Sequence, residues 1–333
     1  MRLSLCPFLA AVLLSVLAVP AHAQNTATTS AQPGGRPAAQ RVIEATIADR
    51  PSAIYAFEKH SLRSADGKRH YRIEIAIPKA TAPTAGFPVL YMLDGNAAMD
   101  TLTQTDLAQL SASPLAPVLV AIGYEVATRN DVVSRAYDYT PPVGSNGQPD
   151  PQPVVRGRVG GGADIFMQLI QEQIKPLVRK RAAIDPKREY LWGHSYGGLF
   201  ALHVLFTQPD AFARYIAGDP SAWWNDGALM SEWKAFDARR ADGKRVAILV
   251  GTKPREPGRG HAPTAAATLQ AAAPAQMNTP AAAFADMRES VQAIAHGLRA
   301  AGSNATYETF PESNHGDMLR VSLTRALQIA GQP

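Results

Sequence analysis

The stretch Arg188-Glu189-Tyr190-Leu191-Trp192-Gly193-His194-Ser195-Tyr196-Gly197-Gly198-Leu199-Phe200 decides the fold. A short β-rich run, Arg188–Trp192, leads straight into G-x-S-x-G over 193–197, and a helix is predicted over Ser195–Thr207. The glycines permit a sharp turn with a strained backbone at the serine. That turn lifts the hydroxyl above the carboxyl end of the sheet and aims the following N–H at the same spot. In this strand–turn–helix context the pentapeptide marks Ser195 as a nucleophile.

Outward from the elbow, strands and helices alternate. Strands are predicted over Ala53–Leu62, His70–Ile77, Pro88–Leu93, Pro117–Ile122, Tyr215–Ala217, Arg245–Val250 and Ala305–Phe310. Ala163–Arg181 has helical spacing, with Phe166, Leu169, Ile170, Ile174 and Leu177 on one face, and Pro176 predicts a kink. Further helices are expected over Ala281–Ala301 and at the end of the chain. This alternation argues an α/β fold with a mostly parallel sheet and helices on both faces. Tyr137–Arg158 and Pro254–Thr279 break the rhythm, as functional loops or as surface insertions.

The 333 residues allow a sizeable core, and 46% hydrophobic with 18% charged content excludes a wholly disordered chain. The net charge of +5 is scattered, with no Lys/Arg run of the kind a nucleic-acid tail carries. The single cysteine, Cys6, excludes a disulfide framework and a Cys-based zinc site. Residues 1–23 read as a secretory signal: Arg2, an apolar Leu5–Val19 run too short to span, then Ala21-His22-Ala23 as a cleavage site. An uncleaved anchor is the alternative. Residues 24–40 read as a disordered linker, and 41–333 as one domain. Export to the periplasm follows, with no stable membrane anchor once the signal is cleaved.

A serine nucleophile needs a base. Among eight histidines, His315 lies between the last strand and the last helix, and Ser before His is the chain order expected of an α/β-hydrolase. His194 should point away from the nucleophile. His203 and His296 lie on helices, and His60 and His70 on early strands. With no H-E-x-x-H spacing, neither a metal nor a cofactor is expected. The third member should follow the Arg245–Val250 strand, where Glu256 is the candidate; a solvated ion pair with Lys253 or Arg255 is its alternative. Asp286, Asp317 or a Ser–His dyad without an acid remain open. The oxyanion donors should be the N–H of Tyr196 and one from Asp94-Gly95-Asn96, with Asn96 favoured and Gly95 allowing close approach.

Arg135, Tyr139, Trp223 and Trp224 are candidate substrate contacts, all after strands on the carboxyl-end side. Arginine pairs with anionic oxygens and tryptophan stacks on flat rings. The alternatives are an Arg135–Asp138 ion pair and packing of the tryptophans on the sheet edge.

Tyr91-Met92-Leu93-Asp94-Gly95, Arg135-x-x-Asp138-Tyr139-Thr140-Pro141, the elbow through Phe200, Pro220-Ser221-x-Trp223-Trp224 and Asn314-His315-Gly316 together resemble the esterase-D-like family of α/β-hydrolases. They are most similar to its periplasmic trilactone esterases, which act on ferric enterobactin and salmochelin. The resemblance covers residues 45–330 and implies Ser195 and His315 as the catalytic pair. It implies a serine esterase for a small-molecule ester, an anionic iron–siderophore complex included, with no cofactor. The Ala/Pro-rich insertion after Gly258 departs from the family. Alternative readings are a feruloyl or acetyl carbohydrate esterase, an acyltransferase on the same fold, or a non-catalytic siderophore-binding protein.

Overall fold

The computed structural model describes residues 41–144, 146–254 and 280–332, with 280–286 as backbone only. The expected leader, the linker and Glu256 lie outside them. In chain order the elements are β1 (Tyr55–Arg63), β2 (His70–Pro78), β3 (Phe87–Met92), α1 (Gly95–Thr101), α2 (Gln104–Ser111), β4 (Val118–Tyr124) and α3 (Ser134–Asp138). Then come β5 (Val154–Val155), β6 (Arg158–Val159), α4 (Ala163–Leu169), α5 (Lys175–Arg181), β7 (Ile184–His194), α6 (Tyr196–Thr207) and β8 (Arg214–Gly218). The chain continues through α7 (Ala228–Ala235), β9 (Arg245–Gly251), α8 (Pro280–Ala300), β10 (Asn304–Phe310) and α9 (Met318–Ala330).

Eight strands form one sheet in the order β1-β2-β4-β3-β7-β8-β9-β10. β2 is antiparallel to β1 and β4; every other neighbour pair is parallel. This is the α/β-hydrolase order. All residues of β3 and β4 are buried, as strands covered on both faces must be. Alternate side chains feed two cores. Val89, Tyr91 and Leu191 pack with Phe166, Phe200 and Ile294 on one face. Leu90, Met92 and Trp192 pack with Leu107 and Leu323 on the other. The strand order reverses around β3, so the crevice at the carboxyl ends of β3 and β7 is where a ligand has access.

Two departures from expectation have physical causes. β7 starts at Ile184 rather than Arg188, and its pairing with β3 jumps from Phe87↔Ile184 to Val89↔Glu189. The extra β7 residues bulge out, and Pro186, with no N–H for the ladder, falls among them. In the 163–181 run, a π-turn at Ile170–Ile174 directly precedes Pro176. The wider turn accommodates a proline whose N–H is missing from the helix ladder.

Candidate active site

β7 delivers Ser195 to the carboxyl end of the sheet with φ 60° and ψ −116°, a backbone that an L-residue adopts only under constraint. The turn is so tight that a Cβ at Gly193 would stand 2.3 Å from the Gly197 carbonyl. From Ser195, Oγ lies 3.2 Å from Nε2 of His315, which sits between β10 and α9 as expected. On the other side of that ring, Nδ1 lies 2.5 Å from Oδ2 of Asp219.

Asp219 corrects the expectation for the acid. It leaves the end of β8, one strand earlier in the sheet than the Arg245–Val250 strand after which Glu256 was expected. Its side chain is buried, at 3% exposed, and Oδ1 accepts from the N–H of Gly251 at 3.3 Å. Its backbone N–H donates to Leu249 O at 2.7 Å. Both contacts come from β9, so the neighbouring strand holds the carboxylate against His315. Asp317, a fallback acid, instead accepts from the N–H of Asn314 at the start of α9. Nothing is described of the Asp286 side chain.

Two further groups touch the pair. Ser221 Oγ lies 3.2 Å from Ser195 Oγ, and its N–H donates to Ser195 O. His194 turns its ring from the nucleophile but packs it 4.9 Å from that of His315 and donates Nε2–H to the His315 carbonyl at 2.9 Å. Burial first, then the nearby His315 and Arg135, push His194 well below the usual imidazole range, so it is a neutral donor. His194, Asp219 and His315 bring ligand-type atoms within 4.8 Å of each other. Those atoms are already bonded within the cluster or to its backbone, which suits a proton relay better than a metal.

The donors expected for an oxyanion stand at two helix starts. Tyr196 opens α6, and Gly95 and Asn96 open α1. Among the described residues, none of these three backbone N–H groups has a hydrogen-bond acceptor. The Asn96 side chain is structural: Nδ2 donates to Tyr124 O, Val126 O and Thr128 O, and Oδ1 accepts from Tyr124 N. A Cβ at Gly123 would fall 2.0 Å from that Oδ1, so the end of β4 must be glycine for α1 to dock.

Three of the four expected substrate contacts belong to the scaffold. Tyr139 is fully buried, and its hydroxyl accepts from the N–H of Asp94 at 2.9 Å. Arg135 pairs with Asp94, not Asp138, so its charge is cancelled before any ligand arrives. Asp138 is held by Arg69, Tyr71 and Tyr124. Trp224, 2% exposed, is core. Trp223 alone remains at the mouth, its ring 5.9 Å from that of Tyr196.

A mostly parallel sheet in this order, with a serine on a strained elbow and an imidazole against it, defines a hydrolase of carboxylic esters with the α/β-hydrolase fold. The chain belongs to the family described as Putative esterase, whose model matches residues 64–315. It is 36% identical over 293 residues to the apo-salmochelin esterase of Escherichia coli O6:H1, covering 88% of this chain and 85% of that protein. It is 32% identical over 281 residues to the ferri-bacillibactin esterase BesA of Bacillus subtilis, covering 83% and 90%. Among solved structures, the enterobactin and salmochelin hydrolase IroE superposes with a TM-score of 0.68 at 34% identity, covering 86% of this chain and 99% of that one. The protein is thus an esterase acting on a small-molecule substrate.

Proposed function

We propose that the protein is an exported serine esterase that opens the trilactone of a catecholate siderophore through an acyl-Ser195 intermediate. The line Ser195–His315–Asp219, at 3.2 and 2.5 Å, carries this reading. His315 Nε2 takes the Ser195 proton as Oγ bonds to the lactone carbonyl carbon. Asp219 fixes the ring with Nδ1–H toward itself and stabilises the imidazolium. The carbonyl oxygen, now anionic, moves toward the free N–H groups of Tyr196 and of Gly95 or Asn96. The C–O bond to the alcohol breaks, and the proton on Nε2 goes to the leaving oxygen. Water, deprotonated by the same imidazole, then cleaves the acyl-serine and restores Oγ–H.

The siderophore substrate rests on the names of the relatives, and export on the signal-like first 23 residues. An exported enzyme of this kind would act in the periplasm, where an imported ferric siderophore would first arrive. The test is direct. Incubation with enterobactin and its ferric complex should give linear trimer and shorter fragments by mass spectrometry. A fluorophosphonate should label the wild type and not Ser195→Ala. Turnover retained in Ser195→Ala would overturn the mechanism; intact trilactone beside a cleaved feruloyl sugar ester would move the substrate to carbohydrates.

A further inference from the structure

The hairpin between α3 and α4 carries an arginine where turn chemistry disfavours one. β5 and β6 pair Val154 with Val159 and Val155 with Arg158, leaving Arg156-Gly157 as a two-residue turn. Both turn residues have positive φ, 52° and 71°. Such turns select Asn, Asp or Gly at the first position, because a larger L side chain strains the left-handed backbone. Arg156 tolerates that strain with its guanidinium carbon 3.9 Å over the Trp223 ring.

The root of the hairpin is fixed. Gly160 N–H donates to Pro153 O, and Gly161 N–H to Thr140 Oγ1. A Cβ at Gly160 would lie 2.3 Å from Thr140 Oγ1 and 3.1 Å from the buried Trp224 ring. Trp224 thus supports the base while Trp223 holds the tip. Arg156 and Arg158 are exposed, and among the described residues neither has a carboxylate partner. Burial pushes the Tyr196 phenol up, and three arginines oppose it, Arg135 first and then Arg156 and Arg158, so both hairpin cations lie within electrostatic reach of that ring. Tyr196 follows the nucleophile directly. Of these three arginines Arg135 is bonded to a carboxylate, that of Asp94, so the positive charge without a carboxylate partner near Tyr196 is that of the hairpin.

We propose that Arg156, Arg158 and Trp223 form a subsite for an aromatic ester bearing negative charge on its ring. Trp223 holds the Arg156 guanidinium flat, leaving its N–H edge and outer face for an aryl anion. Arg158, on the facing strand of the same hairpin, adds a second cation. This rests on the esterase reading and names the charge class that the site selects.

The test uses a matched pair of aryl acetates, anionic 4-acetoxybenzenesulfonate and neutral 4-acetoxyphenyl methyl sulfone, with the full-length protein. The readout is the ratio of kcat/KM for the charged over the neutral ester. Arg156→Asn installs a residue that the turn prefers, so its Tm should equal or exceed that of the wild type. Arg156→Asn with Arg158→Gln should lower the ratio about tenfold, and the wild-type ratio should fall with added salt while that of the double variant stays flat. Trp223→Ala should give part of the loss. A double-variant ratio within about twofold of wild type would overturn the subsite. A wild type that prefers the sulfonate but leaves every trilactone intact would overturn the siderophore reading and keep the subsite.

Discussion

Arg135 and Asp94 meet edge to edge: Nε donates to Oδ1 and Nη2 to Oδ2, each at 2.7 Å. Asp94 is the last residue before α1 and holds a left-handed backbone, φ 51°, with no side-chain cap on the helix. Its neighbour Leu93 and its own Oδ2 lie 3.3 and 3.8 Å from the Cβ position of Gly197 in the elbow. The ion pair therefore braces the strained turn at the start of α1, which packs against Gly197 of the elbow. Both side chains are largely buried, 14% and 4% exposed.

Arg135→Ala is accordingly expected to lower kcat for neutral and anionic esters alike, because it releases a turn and removes no substrate contact. An unpaired buried Asp94 should also cost about 3–5 kcal/mol of stability. Arg135→Lys should not rescue it, since an ammonium cannot make the two parallel bonds. Kinetics on the charged and neutral acetates, with urea unfolding, decide the matter. A loss confined to KM for the anionic ester would return Arg135 to substrate binding.

Asp219→Asn should lower kcat by about 10³ to 10⁴, through loss of the tautomer and orientation of His315. Glu256→Gln in parallel should change kcat less than about threefold. Steady-state assays on a simple aryl ester distinguish the two. The reverse ranking would put the acid back after β9.

The elbow was legible because G-x-S-x-G has one structural meaning between a strand and a helix. His315 was legible because only one histidine lies between the last strand and the last helix. The acid was not. The loops after β8 and β9 leave the sheet at the same end, and chain order cannot choose between them. The signal for Asp219 was present in Asp219-Pro220-Ser221: an acid at the end of a strand, of a type that tolerates positive φ, as it does at 42°. Arg135 and Tyr139 misled for another reason. Their position after β4 is correct, but burial and pairing with Asp94 arise from the packing of α3 against the elbow, which sequence spacing does not encode. α1, α3 and α7 are too short for helical periodicity to stand out.

His203 gives a pH dependence of stability separate from catalysis. It lies buried on α6, with Nδ1 2.7 Å from Glu232 Oε1 and Nε2 3.1 Å from Asp164 Oδ1. Burial alone would lower its pKa, but Glu232 and Asp164 together raise it from 6.5 to about 9. Below pH 6.5 folded and unfolded chains both hold the proton, and the stabilisation is fully present. It is lost as pH rises through 9, because only the folded state still binds the proton. Urea unfolding at pH 6 and pH 9.5 should show the advantage of wild type over His203→Gln shrinking by roughly 3 kcal/mol. Taking the difference removes the opposite contribution of His194, which belongs to more acidic pH. A pH-independent difference would mean that His203 is neutral in the fold.

Trp223 and Trp224 are adjacent in sequence and opposite in environment, so their alanine variants should part company. Trp224 is 2% exposed and packs under the hairpin root. Trp224→Ala should cost about 3–5 kcal/mol, because a large cavity opens beneath Gly160 and Thr140. The hairpin loses its footing, so activity on all esters should fall together. Trp223 is partly exposed and touches Tyr196 and Arg156. Trp223→Ala removes little buried surface, and its stability cost should stay near 1 kcal/mol. Its effect should concentrate in selectivity for charged aryl esters, since what it releases is Arg156. Thermal melts rank the first difference and the charged-to-neutral ratio the second. Equal Tm losses in the two variants would mean that Trp223 is core as well, leaving the mouth of the site without an aromatic wall.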